Sequence, residues 1–134
     1  AADEASLAGW LTADHPLARF VALDEEGVAR GHCQVTTLHG YTTEALRAVM
    51  SRPDQHLWEI GKLFVHPEHR RSGAGAALLD AATHMVLQQD RTPCVVVVHE
   101  WTAARELYVD NGFCEAARFD GKDGLNLVMV RRSS

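Results

Sequence analysis

The sequence predicts a mixed α/β domain. Apolar runs typical of strands are interspersed with stretches whose apolar residues recur every three or four positions, as in helices. Clusters of turn-forming residues separate these segments at short intervals. The length of 134 residues fits one core, so we expect a single domain over residues 1–134.

The first third of the chain predicts a helix followed by a hairpin. Leu7, Trp10 and Leu11 have helical spacing, which indicates a short amphipathic helix. The segment ARFVALDEEGVARGHCQVTTL then predicts two strands joined by a turn at Glu26 and Gly27.

The middle of the chain predicts helix, strand and helix. TTEALRAVMSRP combines a threonine cap with a helical pattern that stops before Pro53. HLWEIGKLFV predicts a long strand, and Gly61 within it indicates a β-bulge or a close backbone approach. GAGAALLDAATHMVLQQD predicts a helix that runs to about Asp90, with Leu78, Leu79, Ala82 and Val86 on one side.

The last third predicts strand, helix and hairpin. PCVVVV is apolar at consecutive positions, as a central strand covered on both faces would be. TAARELYVDNG predicts a helix that ends at Asn111 and Gly112. FCEAARFD and LNLVMVRR, separated by a GKDG turn, predict an antiparallel hairpin.

Composition restricts the classes of function. A net charge of −5 disfavours a nucleic-acid binder, since the basic residues cluster only at His69, Arg70 and Arg71. No apolar run approaches the ~20 residues of a membrane-spanning helix, so we expect no membrane association. The start AADEASLAGW does not resemble a secretory signal, and we therefore expect a cytoplasmic protein.

Neither a disulfide framework nor a metal centre is expected. Cys33, Cys94 and Cys114 are odd in number, far apart and without a CxxC pair, which is typical of buried free thiols. His66 and His69 flank a loop proline and have no third ligand at a recognisable spacing. We expect no metal.

The stretch PEHRRSGAGAALL, Pro67 to Leu79, predicts a pyrophosphate site at the start of a helix. The first turn of a helix carries N–H groups without intrahelical acceptors and a partial positive charge, so it can bind phosphate through the backbone. Glycines at positions 73 and 75 let phosphate approach, and two arginines add positive charge. The expected contacts are Arg70, Arg71, Ser72, Gly73, Ala74, Gly75 and Ala76.

Other phosphate-binding motifs fit this stretch less well. No Lys-Ser or Lys-Thr follows either glycine, which excludes a P-loop. A dinucleotide motif GxGxxG would start at Gly73 but has Leu78 at its third glycine, and seven residues separate the strand from the first glycine. Glu100 would be the ribose ligand in that alternative.

Two ordered motifs resemble those of the GNAT superfamily of acyl-CoA N-acyltransferases. RRSGAG is similar to the family's [Q/R]-x-x-G-x-G/A signature, and LFVHPEHR precedes it as in that family. AARELYVDNGF resembles the second signature A-x-x-L-Y-x-x-x-G-F. The resemblance implies the GNAT-type fold, with a central mixed, largely antiparallel sheet flanked by helices. It also implies an N-acetyltransferase that moves an acetyl group from acetyl-CoA to a primary amine by direct transfer through a tetrahedral intermediate. The acceptor would be a small molecule or a protein amino group.

The resemblance also implies roles for individual residues. Glu59, on the strand leading into the pyrophosphate motif, would be the general base, either itself or through a water. Tyr108 would protonate the departing thiolate. The backbone of the bulged strand would hold the pantetheine arm and the thioester carbonyl. The remaining cofactor contacts implied are Leu63, Phe64, Val65, Trp101 and Ala104.

Two departures from the family pattern are visible. Trp101 stands where relatives often carry an asparagine that bonds the pantetheine region, and an indole can donate but not accept. We expect the family's first strand to be missing from this sequence, which would leave a vacant sheet edge where a homodimer could form. His39, Tyr41, His56, Trp58, His99 and Glu100 are further candidates near the acceptor.

Two alternative functions remain open. A catalytically silent acyl-CoA-binding or regulatory domain would keep the pyrophosphate motif without needing Glu59 or Tyr108. A dinucleotide-binding domain is the second alternative. The three cysteines lie outside the motifs, which disfavours a covalent enzyme intermediate.

Overall fold

The computed structural model describes residues 15–69 and 72–132. The strands are β1 (Ala18–Leu23), β2 (Ala29–Thr37), β3 (Leu57–Val65), β4 (Thr92–Val98), β5 (Phe113–Gly121) and β6 (Gly124–Arg131). The α-helices in these ranges are α1 (Gly40–Leu46), α2 (Ala74–Gln88) and α3 (Thr102–Asp110), with short 3-10 helices at Pro53–Gln55 and Pro67–His69. The predicted helix containing Leu7, Trp10 and Leu11 lies outside the described residues.

The strands form one sheet in the order β1-β2-β3-β4-β6-β5. Neighbouring strands are antiparallel except β3 and β4, which are parallel and are connected through α2. This arrangement confirms the predicted mixed, largely antiparallel sheet flanked by helices. The parallel pair lies in the middle of the sheet, where helices cover both faces.

Two apolar clusters cover the two faces of the sheet. Because side chains alternate along a strand, Val95 and Val97 of β4 point into one cluster while Cys94 points into the other. The first cluster contains the apolar side of α2 and Tyr108 of α3. The second is smaller and is closed by Leu46 of α1. The continuous apolar run of β4 is thus explained by burial on both faces.

The predicted turns are confirmed. Between β1 and β2, Gly27 has a φ of 81°, and the Asp24 carboxylate accepts hydrogen bonds from the N–H groups of Glu26 and Val28 at 2.8 and 2.9 Å. Between β5 and β6, Gly124 has a φ of 116°. Both turns therefore use glycine where a side chain would strain the backbone.

The predicted threonine cap of α1 is wrong. The helix begins at Gly40 with His39 as its N-cap, and it ends at Leu46, before the predicted stop. Thr43 lies inside the first turn, where its hydroxyl donates to the His39 carbonyl oxygen at 3.1 Å. The cap position thus falls on the residue that also contacts β3, as described below.

Candidate active site

β3 contains a β-bulge beside Gly61. On β2, His32 pairs with Phe64 and Gln34 with Gly61, so β3 carries one residue more than its partner between these pairs. Lys62 takes the left-handed conformation at a φ of 50°, whereas Gly61 does not. The predicted bulge is therefore present, but the residue that carries the unusual backbone angle is Lys62.

Beyond Glu59, β3 and β4 separate. Their parallel ladder consists of three pairs that end at Glu59 and Cys94, although β3 continues to Val65 and β4 to Val98. Leu63 and Phe64 lie on the separated part of β3. Its backbone edge towards β4 has no partner in β4 and suits an added extended chain, as predicted for the pantetheine arm.

A cavity of about 570 Å³ opens where the two strands separate. Its walls come from β2, β3 and β4, from the starts of α1 and α3, and from the β5–β6 hairpin. The residues with charged or aromatic side chains are His39, Tyr41, Glu59, Lys62, Trp101, Phe119, Asp120, Lys122 and Asp123. Such a mixed lining, open at one side, suits a small polar ligand or an extended side chain.

Glu59 is the one buried carboxylate among the described residues, at 3% relative exposure. It lies on the same face of β3 as Leu57, at the last pair before the strands separate. One of its oxygens accepts the backbone N–H of His39 at 3.2 Å, and the other lies 2.7 Å from His39 Nδ1. The carboxylate is thus held by one residue of the opposite cavity wall.

His39 belongs to a column of aromatic rings. Its imidazole stacks on Tyr41 with ring centres 5.4 Å apart and planes 5° from parallel. Tyr41 in turn contacts Phe119 of β5 at 5.4 Å between centres. The column connects the start of α1 to the β5–β6 hairpin, so it fixes both the ring of His39 and one wall of the cavity.

Several lining residues were not predicted. Phe119 pairs with Asn126 across the β5–β6 hairpin, and that pairing brings Asp120, Lys122 and Asp123 to the cavity. The sequence marks this hairpin as a turn but contains no local motif that indicates a site. Of the six additional candidates near the acceptor, only His39 and Tyr41 line the cavity; His56, Trp58, His99 and Glu100 do not.

The pyrophosphate motif lies at the start of α2, as predicted. Gly73 is the N-cap at a φ of 86°, and the first intrahelical bond runs from the Ala77 N–H to the Gly73 carbonyl oxygen at 3.0 Å. The N–H groups of Ala74, Gly75 and Ala76 therefore have no intrahelical acceptor. The Ser72 hydroxyl donates to the His69 carbonyl oxygen. Arg70 and Arg71 lie outside the described residues.

The glycines leave room for a phosphate. A Cβ at Gly73 would meet nothing within 4 Å, and at Gly75 it would make ordinary contacts with Leu107 at 3.6 Å and Val65 at 3.7 Å. The start of α2 also borders a cavity of about 660 Å³, whose opposite wall is the β1–β2 turn. The residues present thus fit a coenzyme A pyrophosphate bound through backbone N–H groups.

Tyr108 lies in the core cluster that α2 and α3 form against the sheet, at 8% relative exposure. Its ring contacts Phe113 edge-on at 6.0 Å between centres. Burial raises the pKa of the phenol to about 12, so it stays protonated at neutral pH. Tyr108 does not line the cavity that contains Glu59, so the structure places the two predicted catalytic side chains on different faces of the sheet.

The other predicted contacts around α3 divide into two groups. Ala104 and Leu107 are partly buried against the core. Trp101 is the N-cap of α3, is 57% exposed and lines the cavity with Glu59. The indole is therefore placed to pack against a ligand in that cavity, in a position where the sequence departs from the family pattern.

Cys33 and Cys94 are free thiols that are completely buried. Burial raises the pKa of Cys33 to about 12 and that of Cys94 well above its ordinary value. Neither sulfur can act as a thiolate nucleophile at neutral pH. Within residues 15–69 and 72–132, the structure contains no cluster of three or more potential metal ligands. No helix in these ranges is both long and apolar enough to span a membrane.

The sequence matches one family model. Residues 16–115 match the model described as "Acetyltransferase (GNAT) domain", which includes both motifs, β1 to β4, all three helices and the start of β5. No protein with a curated description matches the chain by sequence.

Solved structures share the fold. A protein proposed to be a phosphinothricin N-acetyltransferase superposes with a TM-score of 0.72 and 18% identity, over 99% of this chain and 82% of that one. The NatC complex bound to Gag peptide and CoA superposes with a TM-score of 0.67 and 18% identity, over 87% of this chain and 71% of that one. A proposed GnaT-family acetyltransferase from Bordetella pertussis superposes with a TM-score of 0.67 and 16% identity, over 86% of this chain and 65% of that one. This chain thus spans slightly less than two thirds of the last protein.

Proposed function

Because the chain belongs to the GNAT acetyltransferase family, we propose that it transfers an acetyl group from acetyl-CoA to a primary amine. One observation carries this proposal: the buried carboxylate of Glu59 faces a cavity at the point where β3 and β4 separate. An amine bound in the cavity at this point would lie near both a proton-accepting carboxylate and the backbone edge of β3 that β4 does not pair with.

Acetyl-CoA, when bound, supplies the acetyl thioester. The backbone N–H groups at the start of α2, with Ser72 and Gly73, would hold its pyrophosphate, and the arginines at positions 70 and 71 would add charge. Leu63, Phe64 and Val65 would pair through their backbone with the pantetheine arm. An N–H of this segment would donate to the thioester carbonyl oxygen, where negative charge develops. Ala104 and Trp101 would complete the site from α3.

Two protons must move at opposite ends of the site. An acceptor amine is protonated at neutral pH, with an ordinary pKa near ~10.4 for a lysine-type group, and it has to lose a proton before it can attack. The proton would leave towards Glu59. The departing sulfur gains a proton, for which Tyr108 is the proposed donor, since its pKa of about 12 keeps the phenol protonated. The gap between β3 and β4 would connect the two faces on which these residues lie.

The cavity favours a cationic acceptor. Its charged lining consists of the carboxylates of Glu59, Asp120 and Asp123 against the ammonium groups of Lys62 and Lys122. Tyr41, Phe119 and Trp101 add aromatic faces, which attract alkylammonium groups. The acceptor would be a small polyamine or a protein amino group, in agreement with the net charge of −5.

The proposal is tested with the purified protein, acetyl-CoA and a panel of amines. The panel should contain diamines, polyamines, lysine and peptides with free N-termini. Released thiol and the mass of the acetylated amine are measured together, so that hydrolysis is separated from transfer. We expect transfer to at least one cationic amine, at a rate that Glu59→Gln lowers while calorimetry shows unchanged coenzyme A affinity.

Other results would identify the alternative functions. Tight binding of coenzyme A without transfer to any amine would indicate an acyl-CoA-binding domain. Binding of NAD or ATP in preference to coenzyme A would refute the pyrophosphate assignment in its proposed form.

A further inference from the structure

We propose that His39 is the group that takes the proton from the acceptor amine, and that Glu59 is a positioning residue that orients His39. The inference rests on the proposed acetyl transfer and identifies the atom through which that site removes the proton. It differs from the expectation from the sequence, in which Glu59 takes the proton from the amine itself or through a water.

The side chain of Glu59 is bound to His39 and is less accessible than the imidazole. Both carboxylate oxygens face His39, one at 3.2 Å from its backbone nitrogen and one at 2.7 Å from Nδ1. The side chain of Glu59 is 4% exposed, whereas that of His39 is 28% exposed. Both residues line the cavity, and the imidazole offers more accessible surface to an amine there than the carboxylate does.

The hydrogen bond determines which imidazole nitrogen is the base. A carboxylate only accepts, so Nδ1 of His39 must carry the proton in the 2.7 Å contact. In the neutral ring the lone pair then lies on Nε2, the nitrogen on the far side from Glu59. When Nε2 takes a proton, the adjacent carboxylate stabilises the imidazolium that forms, as an aspartate does in hydrolase triads.

The ring is also fixed in orientation. His39 is the N-cap of α1, and its backbone N–H is bound to Glu59, so the main chain cannot rotate independently of β3. Tyr41 stacks on one face of the imidazole with planes 5° from parallel. A base held in one orientation gives up little conformational entropy when substrate binds.

Histidine suits the chemistry better than a carboxylate does. An ordinary imidazole has a pKa near ~6.5 against ~4.3 for glutamate, so it is the stronger base that is still unprotonated at neutral pH. The ammonium gives one proton to Nε2, and the neutral nitrogen then bonds to the acetyl carbon as the carbonyl π electrons move to oxygen, which forms the tetrahedral intermediate. When this intermediate collapses, the carbonyl re-forms, the carbon–sulfur bond breaks and the nitrogen loses its second proton to solvent. Sulfur gains a proton from Tyr108, which recovers it from solvent, and His39 returns its proton to solvent, so that one proton is released per turnover.

Charged side chains share the cavity with His39 on two elements. β3 contributes the Glu59 carboxylate and the Lys62 ammonium group. The β5–β6 hairpin contributes the carboxylates of Asp120 and Asp123 and the ammonium group of Lys122.

His39→Asn is the decisive variant. The asparagine amide nitrogen takes roughly the place of Nδ1 and can still donate to Glu59, but the side chain has no group at Nε2. We expect turnover to fall by ~10²–10⁴-fold, with coenzyme A affinity and melting temperature close to wild type. His56→Asn is the matched control, because His56 is exposed and outside the cavity; it should keep wild-type turnover.

Two further measurements distinguish a base from a structural residue. In His39→Ala, added imidazole should restore part of the turnover, in proportion to the fraction of imidazole that is neutral. In the wild type, kcat/KM should rise with pH through a step that is missing in His39→Asn. Glu59→Gln can still accept the Nδ1 hydrogen bond through its amide oxygen, so its loss should be smaller than that of His39→Asn.

The opposite ranking would overturn the inference. If His39→Asn keeps turnover within a few-fold of wild type while Glu59→Gln is inactive, the carboxylate itself removes the proton. If the wild type transfers acetyl groups and His39→Asn does so equally well, only this inference is refuted. Absence of transfer by the wild type to every amine in the panel removes both this inference and the proposed acetyltransferase function.

Discussion

Gly75→Ala should change the stability of the free protein and its coenzyme A binding in opposite directions. Gly75 is the second residue of α2, and a Cβ there would make only ordinary contacts with Leu107 at 3.6 Å and Val65 at 3.7 Å. A glycine in unstrained helical conformation stabilises the protein when replaced by alanine, by up to about 1 kcal/mol. We also expect the added methyl group to hinder the approach of a pyrophosphate to the N–H groups at the start of α2.

The size of the binding effect follows from one lost contact. Loss of one hydrogen bond to a charged group costs about 1.5–3 kcal/mol, or roughly a tenfold to hundredfold loss in affinity. At a ligand concentration one hundred times the wild-type dissociation constant, coenzyme A stabilises the wild type by about 2.7 kcal/mol. With tenfold weaker binding the stabilisation at that concentration falls to about 1.4 kcal/mol. Each kcal/mol corresponds to roughly 2–8 °C in melting temperature for a domain of this size.

Thermal melts with and without coenzyme A measure both effects in one experiment. Gly40→Ala is the matched control, since Gly40 is also at a helix start and lies away from the pyrophosphate motif. A Cβ added at Gly40 would meet nothing within 4 Å. It should leave the coenzyme A shift unchanged. Gly73→Ala is unsuitable as the main variant, because a φ of 86° strains any side chain there regardless of ligand. An equal coenzyme A shift in Gly75→Ala and wild type would refute the assignment of this helix start as the pyrophosphate site.

Three further predictions concern the core and the catalytic face. Tyr108→Phe should keep coenzyme A affinity and lose turnover by ~10²-fold or more, with a defect that stays constant from pH 7 to 9, since the phenol pKa of about 12 lies above that range. Leu79→Ala should destabilise the fold by about 2–5 kcal/mol in denaturant titrations, because Leu79 is fully buried. Leu87 on the same helix is 41% exposed, so Leu87→Ala should change the free energy of unfolding by about 0.5 kcal/mol or less. His32→Gln should flatten the dependence of the free energy of unfolding on pH. Burial lowers the pKa of His32 in the folded protein, so below about pH 6.5 the unfolded chain binds a proton more readily than the folded one. The wild type therefore loses stability as the pH falls. Unfolding curves of both proteins at pH 5 and pH 7.5 would show a parallel decline if His32 does not contribute.

Local features of the sequence were sufficient to predict most elements and the cofactor end of the site. Glycines mark the turns between β1 and β2 and between β5 and β6, because their positive φ angles exclude other residues. The pyrophosphate motif is contiguous and ends in a helix N-terminus, so its binding groups follow from the order of residues along the chain. The boundaries of α1 were less predictable, because its N-cap is held by β3 and not by a local side chain.

The acceptor end of the site depends on contacts between distant segments. Phe119 and Asn126 reach the cavity through the register of the β5–β6 hairpin, and Lys62 takes its backbone angle from the bulge against β2. The pairing of His39 with Glu59 joins the residue before α1 to the end of the parallel ladder.

The sequence by itself predicted the fold class through its periodicity and the family through two contiguous motifs. The candidate roles of Glu59 and Tyr108 were implied by the resemblance to that family. Only the tertiary structure showed that Glu59 is hydrogen-bonded to His39 and that Tyr108 lies on the opposite face of the sheet. The physical reason is that strand pairing and the separation of β3 from β4 are set by packing across the whole sheet. His39 and Glu59 are 20 positions apart and come into contact only through this packing, so no local sequence pattern predicts the pair.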